Sequence, residues 1–153
     1  MAFRLYSSAF AEGGWIPELH TCQRADISPS LEWMGEPPET RGYALTVDDP
    51  DAPGGVWTHW LLYDIPPKTH TLAQGCRAEG VGLDGANDFG RLGYGGPCPP
   101  RGHGPHRYFF KLYALDLQTL GLPAGGKSGE LARALKGHIL AEARLMGTYQ
   151  RWQ

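Results

Sequence analysis

The sequence predicts a mainly β chain, folded as a sandwich or a barrel. Two observations point there. Short runs rich in β-branched and aromatic residues recur along the 153 residues, and turn-forming Gly, Pro and Asp clusters separate them. Gly and Pro together approach a quarter of the chain, yet 41% of residues are hydrophobic. There is enough apolar side chain to fill a core, so the Gly and Pro read as many turns and not as disorder. No repeat, charge block or low-complexity linker interrupts the chain, and the length fits a single domain spanning 1–153.

In chain order the strand candidates are Arg4 to Ala9, Gly42 to Val47, Val56 to Ile65 and Arg107 to Leu115. Alternate residues of a strand share a face. Leu45, Val47 and Asp49 therefore form one row, Trp57, His59, Leu61 and Tyr63 a second, and His106, Tyr108, Phe110 and Leu112 a third. In each row an ionisable residue extends an apolar face, as expected where a pocket opens at the end of a core. One helix is expected to close the chain. Ser128 would cap a segment in which Leu131, Leu135, Ile139 and Met146 recur at helical spacing, with Gly137 inside it at a cost of about 1 kcal/mol relative to Ala.

Charge excludes some functions. The formal net charge of −2 offers no electrostatic footprint for a polyphosphate backbone or an anionic membrane, so no nucleic-acid partner is expected. No stretch approaches the roughly 20 apolar residues of a spanning helix, and the N-terminus lacks the apolar core of a signal peptide, so a cytoplasmic protein without integral membrane association is expected. Cys22, Cys76 and Cys98 are odd in number and irregular in spacing, which predicts reduced thiols.

Two clusters carry chemistry. In Asp48-Asp49-Pro50-Asp51-Ala52-Pro53, the prolines restrict themselves and the residues before them, which holds the carboxylates with little freedom. His59 follows shortly after. In the run from Gly93 to Tyr108, glycines allow close backbone approach and free amides for an anion-binding nest, while prolines stiffen the remainder. His106 and Tyr108 share a face about 7 Å apart at the entrance of a strand.

These two clusters, DPDAP followed by Trp-x-His and then the GPCPPRGHGPHRY run, resemble the phosphatidylethanolamine-binding proteins, most closely their short bacterial branch of Raf-kinase-inhibitor-like proteins. The similarity covers roughly residues 29 to 149, including Asn87-Asp88-Phe89-Gly90. The resemblance implies an antiparallel β-sandwich with a few peripheral helices, among them the C-terminal one. It also implies a pocket at the sheet edge for phosphate or phosphoryl headgroups. By position the pocket residues are Asp49, His59, His106 and Tyr108, with Gly96 and Pro100 as loop wall. The resemblance further implies a cis peptide near the acidic motif, with Ala52–Pro53 as the candidate.

The expected function is non-enzymatic anion binding, with no cofactor and no metal. Asp49 would hold one imidazole cationic while Tyr108 and backbone amides donate to a phosphate-like anion or phosphorylated small molecule. Three rivals stand beside it. A metal site could draw on Asp49, Asp51, His59, His103 and His106, but no helical ligand spacing such as HExxH is present. A cysteine hydrolase would use Cys98 with His106, without the cation or helix terminus that activates a thiolate. A kinase- or protease-inhibitor-like module would bind a protein partner; a homodimer also stays open. Arg107 is expected to anchor Asp49 or Asp51 through a bidentate ion pair. His20, His70 and His138 read as surface or satisfied structural residues.

Overall fold

The predicted strand runs all form strands in the computed structural model, which describes residues 2–152. Strands β1 (Arg4–Tyr6), β2 (Leu31–Met34) and β5 (Thr71–Leu72) make a small antiparallel sheet in the order β1-β2-β5. Strands β3 (Gly42–Asp49), β4 (Trp57–Ile65), β6 (Leu83–Asp84), β7 (His106–Leu115) and β8 (Ile139–Tyr149) make a larger one in the order β6-β4-β3-β7-β8, also antiparallel.

Alternation along the strands gives the large sheet two apolar faces. On one, Tyr43, Leu45, Val47, Trp60, Leu62, Phe110 and Leu112 meet Leu5, Leu31, Trp33 and Leu72 from the small sheet. This is the sandwich core. On the other face Ala44, Leu61, Tyr63 and Leu115 pack against Leu131 and Leu135 of helix α1 (Ser128–Leu135). Each large side chain sealed in these layers contributes roughly 1.5–3 kcal/mol.

The long closing helix is corrected. Helix α1 ends at Leu135, Gly137 adopts φ +84°, and the chain continues as β8. Ser128 is the first helical residue and not the cap; the Lys127 N–H before it donates to Glu130 Oε1 at 2.9 Å. In β8 the buried residues Ala143, Leu145 and Tyr149 alternate with exposed Glu142 and Arg144, which is a strand period. Pairing with the whole length of β7 outweighs the local helical spacing of Ile139 and Met146. The outer edge of β8 is partly covered by the segment near Trp15, where Gly13 and Ile16 donate to Met146 O and Thr148 O at 2.7 and 2.9 Å.

Two further expectations change. The Ala52–Pro53 bond is trans, and no cis peptide occurs among the described residues; the turn is fixed instead by the Asp51 N–H donating to Asp49 Oδ1 at 2.7 Å. Cys22 and Cys98 form a disulfide and only Cys76 is a free thiol. A separation of 76 residues hides this pairing in the sequence. The fold supplies it, because the Cys22 N–H donates to Pro97 O at 3.1 Å and lays the two segments side by side.

Candidate functional site

At the end of the sandwich core, β3, β4 and β7 deliver Asp49, His59, His106 and Tyr108 to one cavity of about 200 Å³. Local structure explains how. Val47 pairs with Trp60 whereas Asp48 pairs with Thr58, so His59 is the extra residue of a β-bulge. A bulge re-aims the side chain at the inserted position. The expected row of Trp57, His59, Leu61 and Tyr63 is therefore broken. Trp57 and His59 line the cavity, while Leu61 and Tyr63 lie on the helix side of the sheet. Asp49 and the pair His106 and Tyr108 continue the core rows of β3 and β7 as expected.

All four polar groups are buried, and their partners define what each can do. Asp49 Oδ1 accepts the Asp51 amide, and Oδ2 lies 2.6 Å from His106 Nδ1. His106 Nε2 lies 2.6 Å from Nδ1 of His103, an exposed loop residue. His59 Nδ1 lies 2.7 Å from Gly95 O. A carbonyl only accepts, so Nδ1 carries the hydrogen and Nε2 is left as an acceptor. Burial lowers the His59 pKa and favours this neutral form. Tyr108 packs edge-on to His59 with ring centroids 5.2 Å apart. Its hydroxyl is buried without a hydrogen bond of acceptable geometry. Burial first, and then the Asp49 charge, push its pKa far up, so it remains a donor.

The walls are apolar: Ala52 and Pro53 from the acidic turn, Trp57 and Phe89 on one side, and Cys98, Pro99 and Pro100 on the other. Pro100 is thus placed as expected, but Gly96 is not among the lining residues. Its N–H donates to Asp26 Oδ1 at 2.7 Å, and a Cβ there would sit 2.0 Å from His20 O. Gly96 is a site of close packing behind the wall. The amide nest is corrected too, because Gly93, Gly95, Gly102 and His103 all spend their N–H groups on backbone carbonyls.

Arg107 takes Asp51 and not Asp49 as its ion-pair partner. His20, His70 and His138 each hold a structural partner, Ile27 O, Glu36 and Asp116 respectively. The sequence reading missed Phe89 as a wall and His103 as a partner of His106. The Asn87-Asp88-Phe89-Gly90 motif carried a signal for the first: Asn87 Oδ1 accepts the Phe89 and Arg91 amides, and Asp88 Oδ2 accepts the Thr58 amide at 2.7 Å, which docks this turn beside His59. Among the described residues no three His, Cys, Asp or Glu side chains converge as metal ligands, and no helix is long and apolar enough to cross a membrane.

A two-sheet sandwich with an acid–histidine cavity at its end defines the class of fold. The chain belongs to the phosphatidylethanolamine-binding protein family, whose sequence profile, described as Phosphatidylethanolamine-binding protein, matches residues 6–150. It is similar to the UPF0098 protein of Aquifex aeolicus, with 47% identity over 96% of this chain and 88% of the relative. The UPF0098 protein of Methanothermobacter thermautotrophicus is also 47% identical, over 96% and 98%. Among solved structures, the homologue CT736 from Chlamydia trachomatis has a TM-score of 0.91 at 40% identity, covering 98% of both chains. YbcL from E. coli, described as a new member of the mammalian PEBP family, has a TM-score of 0.91 at 33% identity, covering 98% of this chain and 99% of its own.

Proposed function

We propose that the pocket binds a small oxyanion, phosphate or the phosphoryl group of a headgroup or phosphorylated small molecule, without chemical turnover. The observation that carries this reading is the Tyr108 hydroxyl, a buried donor of a cavity-lining residue that makes no hydrogen bond within the protein. Leaving such a group unsatisfied costs about 1–3 kcal/mol, which an oxyanion oxygen recovers. Asp49 would repel an anion, and its Oδ2 lies 2.6 Å from His106 Nδ1, where a protonated imidazole would offset that charge. Neutral His59 supplies an acceptor for the P–OH of a monoprotonated phosphate. The apolar walls strengthen both contacts by excluding water. Non-enzymatic binding is supported by the state of Cys98, the cavity's one sulfur nucleophile, which is spent on the bond to Cys22.

Calorimetric titration of phosphate and of phosphoethanolamine into wild type and His106→Ala, with metal content assayed on the same samples, tests this reading. Saturable metal-free binding weakened at least tenfold in the variant is expected. Absence of binding for both ligands would overturn it in favour of a protein-binding module.

A further inference from the structure

His106 has both ring nitrogens occupied: Nδ1 by Asp49 Oδ2 and Nε2 by His103 Nδ1, each at 2.6 Å. The three groups form a carboxylate–imidazole–imidazole chain that runs from the buried pocket floor to an exposed side chain. His103 itself does not line the cavity. In any stable arrangement one hydrogen lies between His106 Nε2 and His103 Nδ1, because an N–H···N contact needs one donor and one lone pair. With both imidazoles neutral, His103 Nδ1–H donates to His106 Nε2, and the His103 Nε2 lone pair is free on the outer side of the ring.

We propose that His103 is a positioning residue that sets the protonation of His106 and passes one proton from solvent to the pocket when an oxyanion enters. The step balances simply. A solvent proton adds to His103 Nε2, and the hydrogen on His103 Nδ1 moves to His106 Nε2. His103 returns to neutrality as the other tautomer, and His106 becomes an imidazolium against the Asp49 carboxylate. The trio changes from one net negative charge to none, which removes the repulsion an anion would meet from Asp49. A second proton on the pair sets N–H against N–H and breaks the chain, so one proton is the capacity of the device.

The other charged and titratable groups around the pair come from every neighbouring element. Asp51 and Arg107 form their own ion pair beside it. Tyr108 stacks on His106, and His59 lies beyond Tyr108. Tyr149 is the β8 partner of His106 in register. Arg101 and Arg151 are held to the carbonyls of Trp152 and Pro99. None of these makes a hydrogen bond to His103 or His106.

The role in ligand uptake rests on the anion-binding reading, but the relay itself is measurable without ligand. Ring nitrogen-15 shifts of His103 and His106 followed against pH in wild type and His103→Gln decide it. Coupled titration in wild type is expected, with the His106 midpoint displaced by about one pH unit in the variant, a tenfold change in proton affinity. A His106 titration identical in both proteins would overturn the proposal. Phosphate calorimetry in two buffers of different ionisation heat then counts protons. Uptake of about one proton per phosphate in wild type and close to none in His103→Gln is expected; equal uptake in both would overturn the relay's role in binding. If phosphate fails to bind at all, the anion-binding reading falls, and the ligand-free titration still decides the relay.

Discussion

The Asp51 carboxylate accepts three N–H groups of Arg107, from its amide, Nε and Nη2, each at 2.9 Å. This fork closes the acidic turn against the first residues of β7, and Ala52 and Pro53 of that turn line the pocket. The guanidinium hydrogen bonds hold the Asp51 pKa at about 2, below its ordinary 3.8. A depressed carboxylate stabilises the fold above its unfolded pKa and loses that contribution as pH falls through the folded one. Asp51→Asn is expected to cost about 1 kcal/mol near neutral pH after screening of this exposed pair. The difference from wild type should shrink between about pH 4 and about pH 2, as measured by urea unfolding across that range.

Tyr108→Phe separates binding from stability. Removing a buried hydroxyl that has no partner should leave the fold as stable or stabilise it by up to about 1 kcal/mol. The same change should weaken phosphate binding by about tenfold. Denaturation and calorimetry on one sample decide it, and a large loss of stability would mean that the hydroxyl is satisfied after all.

His59 predicts an acid sensitivity of its own. Its folded pKa is lowered, chiefly by burial. As pH falls through the unfolded imidazole value, the unfolded chain takes up a proton that the folded chain refuses, and stability drops. Wild type should therefore lose stability more steeply from pH 7 to pH 5 than His59→Gln, read from thermal midpoints in matched buffers.

The Cys22–Cys98 bond ties the exposed Cys22 segment to the pocket wall across a separation of 76 residues. Chain-entropy reasoning gives about 4.5 kcal/mol for a loop of that size. Cys98→Ser, or reduction of the wild type, is expected to lower the melting temperature by roughly ten to fifteen degrees. A shift of only a degree or two would show that the bond is not formed in solution.

Much of the fold was legible because the four long apolar runs carry β-branched and aromatic residues in place. What was misread has identifiable causes. The residues after Gly137 fit a helical spacing locally, and only pairing with β7 makes them a strand; the alternation of Ala143 and Leu145 with Glu142 and Arg144 was the overlooked signal. The disulfide joins segments brought together by tertiary structure, which spacing cannot encode. In the site, Asp49, His106 and Tyr108 followed strict alternation and were found with the right neighbours. His59 was found in the right place for the wrong reason, since alternation carried it onto the row of Leu61. Gly96 was expected in the loop wall of the pocket and does not line it; its constraint is the crowding by His20 O and Asp26.

The buried acceptor of the cavity is written as a pairing error. Between the partners of Val47 and Asp48, strand β4 carries one residue more than β3 requires, and that surplus residue is His59. A chain with residue 59 deleted would pair without interruption from Leu45 to Asp49 of β3 and form a more regular sheet there. It would also return the side chains from Trp57 to Leu62 to a single rhythm and leave the cavity without its buried acceptor. Any redesign for heat resistance that regularised this strand would therefore remove His59 from the cavity.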